Sequence, residues 1–242
     1  MKLRVHFLPD LVEAAELADS VVVVIDVLRA TTTMVHALAA GATEIRPCQD
    51  VDVARRIAAE CGENVLLGGE RGGERIPGFD LGNSPLEYVS DVVKDHTIVF
   101  TTTNGTAALK HAEQARQVLV GAFVNLSSVC SELAGSSHID LLCAGTSGQI
   151  SREDVLFAGA VASELIKLNS DCEFNDQAEL AVDAWRSAVT ELISSSLLPA
   201  VLRSSHGARN LIEIGHEEDI EIAAQVDRFN IVPEYDGLRV RL

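Results

Sequence analysis

The sequence predicts an α/β protein, a three-layer α/β/α arrangement around a largely parallel sheet, and three observations predict it. Short β-branched runs alternate with longer Ala-rich helical stretches along most of the chain. Val21 to Ile25 is an unbroken apolar run, the pattern of a strand buried on both faces of a parallel sheet. A plan of strand, Thr-rich loop, Ala-rich helix, strand and helix starts near residue 21 and again near residue 97, as in an internal duplication.

Taken in order, residues 2–8 alternate polar and apolar side chains, the period of a half-exposed strand, and Leu11 to Leu17 reads as a short helical segment. The strand Val21–Ile25 ends at Asp26, and VLRATTTMVHALAAGA then turns helical and stops at Gly41. A strand at Glu44–Pro47 and a helix at Val51–Cys61 follow. The segment 68–88, GGERGGERIPGFDLGNSPLEY, lacks apolar periodicity and reads as a long functional loop. Next come a strand at Thr97–Phe100, a helix from Thr106, a strand at Gln117–Val120 and a helix at Leu126–Leu133. Ile139–Cys143 opens a further strand whose loop precedes a helix at Val155–Leu168. Helices are expected over Asp176–Ser196, Asn210–Ile214 and Asp219–Arg228, and Asp236-Gly237 between apolar runs signals a hairpin. The chain reads as one domain over 1–242, with a possible division into two subdomains near residue 90.

Composition narrows the function. With 36 Asp and Glu against 19 Lys and Arg the net charge is −17, so a nucleic-acid backbone and an anionic membrane surface are both excluded as partners. No apolar run is long enough to span a bilayer or to serve as a signal peptide. Five cysteines form an odd set without a Cys-x-x-Cys pair, as expected of reduced thiols in a cytoplasmic protein.

Open parallel sheets bind ligands beyond the carboxyl ends of their strands, where loops lead into helices. Asp26, the loop Thr101–Thr106 and Ala144–Gly148 occupy that position. Thr102, Thr103, Asn104, Gly105 and Thr106 combine hydroxyl donors with a helix N-terminus, as an anion site does, although N-capping alone uses the same residues. Gly145 and Thr146 repeat that chemistry more weakly. Asp26 could hold a divalent cation or act as a base, and Arg29 could clamp an oxyanion. Between paired glycines, Glu70 and Arg71 point to a site, with Asn83 and Ser84 as further donors; Asp154 is either half of a capping pair with Glu153 or another ligand or base.

The chain has no Walker phosphate loop and no G-x-G-x-x-G fingerprint, and no cysteine is followed by an arginine six residues later. Leu28 stands where an aspartyl-phosphate enzyme carries its second aspartate, which disfavours a covalent Asp26 intermediate. Seven histidines are scattered; His36 reads as a core residue, and His206 is undecided.

Taken in chain order, VVVIDVLRATTT, GGERGG…IPGFDLGNSP-x-EY, TTTNGT, GA-x-x-N and CAGT-x-G…S-x-ED closely resemble the 2-phosphosulfolactate phosphatase family. ND-x-A, S-x-HG and VP agree more weakly. The resemblance implies an α/β/α fold and a magnesium-dependent phosphomonoesterase that cleaves 2-phospho-3-sulfolactate to 3-sulfolactate and phosphate, a step toward coenzyme M. On that reading Asp26, Glu70 and Asp154 would hold magnesium. Asp26, Arg29, Glu70 and Asp154 would be catalytic, with Asp26 or Asp154 as base for direct attack by water. Arg29, Arg71 and the hydroxyl-rich loops would bind the small anionic ester. A phosphatase for another small phosphorylated acid, or a non-catalytic anion-binding domain, are the alternatives, and a homodimer is the ordinary expectation for such an enzyme.

Overall fold

A computed structural model describes residues 1–169, 171–191 and 198–242. It is the expected three-layer α/β/α protein. Lys2–His6 forms β1, and the segment expected to be helical before Val21 is instead two 3-10 turns, Pro9–Leu11 and Ala14–Leu17. Then come β2 (Val21–Ile25), α1 (Ala30–Ala39), β3 (Glu44–Pro47), α2 (Val51–Cys61), β4 (Val65–Arg71), β5 (Glu74–Arg75), α3 (Ser90–Val93) and β6 (Thr97–Thr101). The middle of the chain gives α4 (Gly105–His111), β7 (Gln117–Gly121), α5 (Leu126–Leu133), β8 (His138–Cys143) and α6 (Arg152–Leu168). The last part gives β9 (Glu173–Phe174), α7 (Asp176–Glu191), α8 (Leu198–Arg203), α9 (His206–Glu213), α10 (Glu218–Ala223), β10 (Glu234–Tyr235) and β11 (Val240–Arg241). The stretch expected to continue α7 over 192–196 lies outside the described residues.

The eleven strands among the described residues make one sheet in the order β5-β4-β6-β3-β11-β10-β7-β2-β8-β1-β9. Two parallel blocks, β4-β6-β3 and β7-β2-β8-β1-β9, are joined by the antiparallel hairpin β10–β11. The hairpin pairs antiparallel with both β7 and β3, so the two blocks run in opposite senses. Strands from before and after residue 90 interleave in both blocks: β6 lies between β3 and β4, and β2 between β7 and β8.

The apolar run predicted for β2 accounts for its place. Val21, Val23 and Ile25 pack into the core under α6 and α7, while Val22 and Val24 face the opposite core with α1 and α4. Side chains alternate across a strand, so an all-apolar strand requires a helical layer on each side. The segment 68–88 was expected to be loop throughout, yet its start belongs to β4. Gly68 and Gly69 hide that strand in the sequence, and close packing explains them: at Gly69, with φ +138°, a side chain would collide with the Thr101 backbone.

Leu141 in central β8 is fully buried against the α6 layer. Leu141→Ala should lower stability by about 2–5 kcal/mol, read as a reduced urea midpoint with an unchanged slope.

Candidate active site

Strand-end loops from both blocks converge on one cavity of about 370 Å³. Asp26 and Arg29 enter from the loop after β2, Glu70 from the end of β4, Thr103 and Asn104 from the loop after β6, and Thr146 and Ser147 from the loop after β8. Gly72, Gly73 and Asn83 add the glycine-rich segment, and α9 closes the far wall with Gly207, Asn210, Leu211 and Glu213.

Internal hydrogen bonds hold these loops in register. Glu70 Oε1 accepts from the Thr103 backbone N–H at 2.7 Å and Oε2 from Gly73 N–H at 2.8 Å. Within the Thr-rich loop the Thr103 N–H therefore already holds the protein's own carboxylate. The Asn104 side-chain oxygen accepts from Ser147 N–H at 3.1 Å and ties the β6 and β8 loops together. Asp154 is 2% exposed, and its two oxygens accept from Val27 N–H at 2.9 Å and Gly145 N–H at 3.1 Å. It joins the loops after β2 and β8 from behind and does not line the cavity. Asp154, expected as a third metal ligand or base, stands behind the cavity wall rather than in its lining and there staples the two loops together.

Asp26, Arg29, Glu70, Asn83, Thr103, Asn104 and Thr146 are thus brought together as the sequence suggests. Six other candidates serve the walls. The Thr102 hydroxyl oxygen accepts from Thr106 N–H, and the Thr106 hydroxyl donates to the Thr102 carbonyl, so capping of α4 is what these two do. Gly105 starts α4 beside Asp26, where an added Cβ would sit 2.8 Å from Oδ2 and 2.5 Å from the Ala30 Cβ. Gly145 supplies the N–H that Asp154 binds. Ser84 donates to Asp219 at 2.6 Å. Arg71, expected to bind the anion, donates to the carbonyls of Gln49 and Glu70 and lies outside the cavity lining.

Charge in the cavity is correspondingly negative. Asp26, Glu70 and Glu213 line it against one base, Arg29, which is itself paired at 2.7 Å with buried Asp219. Burial pushes the Asp26 carboxyl up to about 7, reinforced by the charges of Glu70 and Glu153 and opposed by the Ala30 N–H and Arg29. Asp154 is raised by burial and then by Asp26 and Glu153. Glu153, 1% exposed and raised by burial, packs against Gly207 with neither oxygen hydrogen-bonded. Among the described residues no three His, Cys, Asp or Glu side chains are grouped to hold a metal unaided. The α9 residues and Asp219 were not foreseen; the weak S-x-HG match at 204–207 was the one signal near them.

Comparison with known proteins gives this cavity its family. The model of the family described as 2-phosphosulpholactate phosphatase matches residues 6–237. The chain belongs to the 2-phosphosulfolactate phosphatase family. Its similar relatives include proteins named probable 2-phosphosulfolactate phosphatase from Carboxydothermus hydrogenoformans, 42% identical over 97% of this chain and 93% of that one. The relative of the same name from Caldanaerobacter subterraneus is 39% identical over 93% and 92%, and that from Clostridium beijerinckii 32% over 98% of each chain. In this member of the 2-phosphosulfolactate phosphatase family, no helix among the described residues is long and apolar enough to cross a membrane.

Two predictions follow from this geometry. Gly105→Ala should cut activity at least tenfold, because its methyl group would displace the Asp26 carboxylate; steady-state kinetics on the folded variant checks this. Asp26 binds its proton more tightly folded than unfolded, so stability in chelator should fall as pH rises from about 4 to about 7 and level off above. The slope belongs to the Asp26–Glu153–Asp154 cluster, and Asp26→Asn should reduce it and raise the melting temperature at pH 8 by a few degrees.

Proposed function

We propose that the chain is a magnesium-dependent phosphomonoesterase that hydrolyses 2-phospho-3-sulfolactate to 3-sulfolactate and phosphate, a reaction of the coenzyme M type, in the cytoplasm. The observation that supports this best is the meeting of Asp26 and Glu70 in one small cavity with neutral donors and, among the described residues, a single, already paired arginine.

The donor set suits magnesium, which takes one or two carboxylates and fills its remaining positions with water and phosphate oxygens. Asp26 and Glu70 would hold it. Glu70 is aimed by its two backbone N–H bonds, and Asp26 Oδ2 accepts no hydrogen bond among the described residues. A carboxyl held near pKa 7 by burial and like charge is what a divalent cation relieves. When bound, the cation would offset phosphoryl charge and acidify water.

The chain's own groups do the rest. Asn83, Thr103, Asn104, Thr146 and Arg29 orient the ester, and the α9 wall limits water. With the cation on one oxygen of Asp26, the other, Oδ1, which carries only a 3.3 Å bond from Ala30 N–H, would take the proton of the attacking water and return it to the leaving oxygen; Asp154 lies outside the cavity lining and does not reach that water. Direct attack agrees with Leu28 standing two residues after Asp26.

One observation favours a second reading, a phosphatase for a less charged phosphorylated acid. Among the described residues Arg29 is the one basic side chain in the cavity lining, and Asp219 already pairs with it. A substrate carrying carboxylate, sulfonate and phosphate would find few cations there.

The test is phosphate release from 2-phosphosulfolactate and a panel of small phosphate esters, in magnesium or in chelator. Expected are turnover that chelation abolishes, a loss of 10²–10⁴-fold in Asp26→Asn, and a higher half-saturating magnesium concentration in Glu70→Gln. Turnover that survives chelation, or an Asp26→Asn enzyme with full activity, would contradict the proposal. Preference for another ester would select the second reading.

A further inference from the structure

Arg29 reaches the cavity with its guanidinium fixed from behind. Nη1 donates to Asp219 Oδ2 at 2.7 Å and Nη2 to the Gly73 carbonyl at 2.6 Å. Asp219 Oδ1 in turn accepts the Ser84 hydroxyl at 2.6 Å, so both carboxylate oxygens are used. Asp219 is 1% exposed and stands on α10, 190 residues from Arg29 and 135 from Ser84 in sequence. His216 lies 3.8 Å from the same carboxylate. A guanidinium carries five N–H donors in a rigid fork, and beyond these two bonds the other three have no partner among the described residues.

A buried ion pair is a weak device for stabilising a fold, since desolvation of both charges offsets most of the attraction. Here the pair does something else. It fixes the plane of the single cavity arginine, and it cancels most of that arginine's charge. Without Asp219 the guanidinium would be a mobile full charge, which binds anions well but presents donors in no fixed direction.

We propose that Asp219 is the positioning residue for Arg29, holding the guanidinium so that its free N–H groups meet the phosphoryl oxygens as they gain charge, while preventing the arginine from gripping the product phosphate. The proposal rests on the phosphatase reading above. It also assigns a role to the chain's C-terminal region, which completes a site otherwise built from strand-end loops.

The experiment compares wild type, Asp219→Asn and Ser84→Ala, each in magnesium, by kcat, KM and the dissociation constant of inorganic phosphate. In Asp219→Asn, kcat should fall at least tenfold while phosphate binds as tightly as in wild type or up to several-fold more tightly. In Ser84→Ala, which keeps the charge and loses one bond, kcat should fall three- to tenfold with phosphate affinity unchanged. A kcat within twofold of wild type in Asp219→Asn overturns the proposal. So does a wild-type kcat in Ser84→Ala if Asp219→Asn fails to fold. The Arg29 guanidinium nitrogen resonances read the clamp without turnover: separate, slowly exchanging signals are expected in wild type and averaged ones in Asp219→Asn. Averaged signals in wild type overturn the clamp. Separate signals in a protein that releases no phosphate from any ester leave the clamp standing and count against the phosphatase reading.

Discussion

The burial of Asp26 near Glu70, with no unpaired basic side chain beside them among the described residues, is the constraint on which the rest of the site depends. Two carboxylates in a small cavity, with Glu153 and Asp154 packed behind, make an arrangement that folding alone would not select. Removing such charges from water costs several kcal/mol per ion when nothing compensates them. The protein meets part of this cost by keeping protons on the cluster, which is why burial lifts Asp26 to about 7. A divalent cation would meet it more completely, and the proposed chemistry uses that exchange of proton for metal.

The scaffold is arranged to make this juxtaposition rigid. Each wall is tied to another by a carboxylate or amide that accepts backbone N–H groups: Glu70 joins the β6 loop to the glycine turn, Asp154 joins the β2 and β8 loops, and Asn104 meets Ser147. Charge-assisted bonds to backbone N–H groups are strong and directional. Small residues permit the close approach, Gly105 beside Asp26 and Gly69 against the Thr101 backbone. The α/β core beneath, with β2 apolar on both faces, is the frame that carries these loops.

Much of this was legible in the sequence where the signal is local. An unbroken β-branched run gave the bounds of β2, and alternation of strand and helix gave the layers, because both depend on neighbours in the chain. Asp26, Glu70 and Asn104 were readable because strand ends are where such folds gather ligands. Arg71 was misread because sequence cannot show which way an arginine turns between two glycines; here neighbouring carbonyls capture it. Asp154 was ambiguous because a metal ligand and a carboxylate staple are the same residue at the same place. Asp219 left no trace, since its partners lie 190 and 135 residues away and no spacing rule links them. Arg29 and Arg71 were both expected to bind the anionic ester, yet of the two only Arg29 lines the cavity. The cavity is negative, so on the proposed reading a bound cation and neutral donors would have to hold the anion.

The most direct test of the central claim is magnesium binding by titration calorimetry at pH 6.5 in two buffers of different ionisation enthalpy. Cation and proton compete for Asp26, so binding should release a substantial fraction of one proton per magnesium, and Asp26→Asn should release almost none. Magnesium binding with no proton release in the wild type, or release unchanged in Asp26→Asn, would contradict the account.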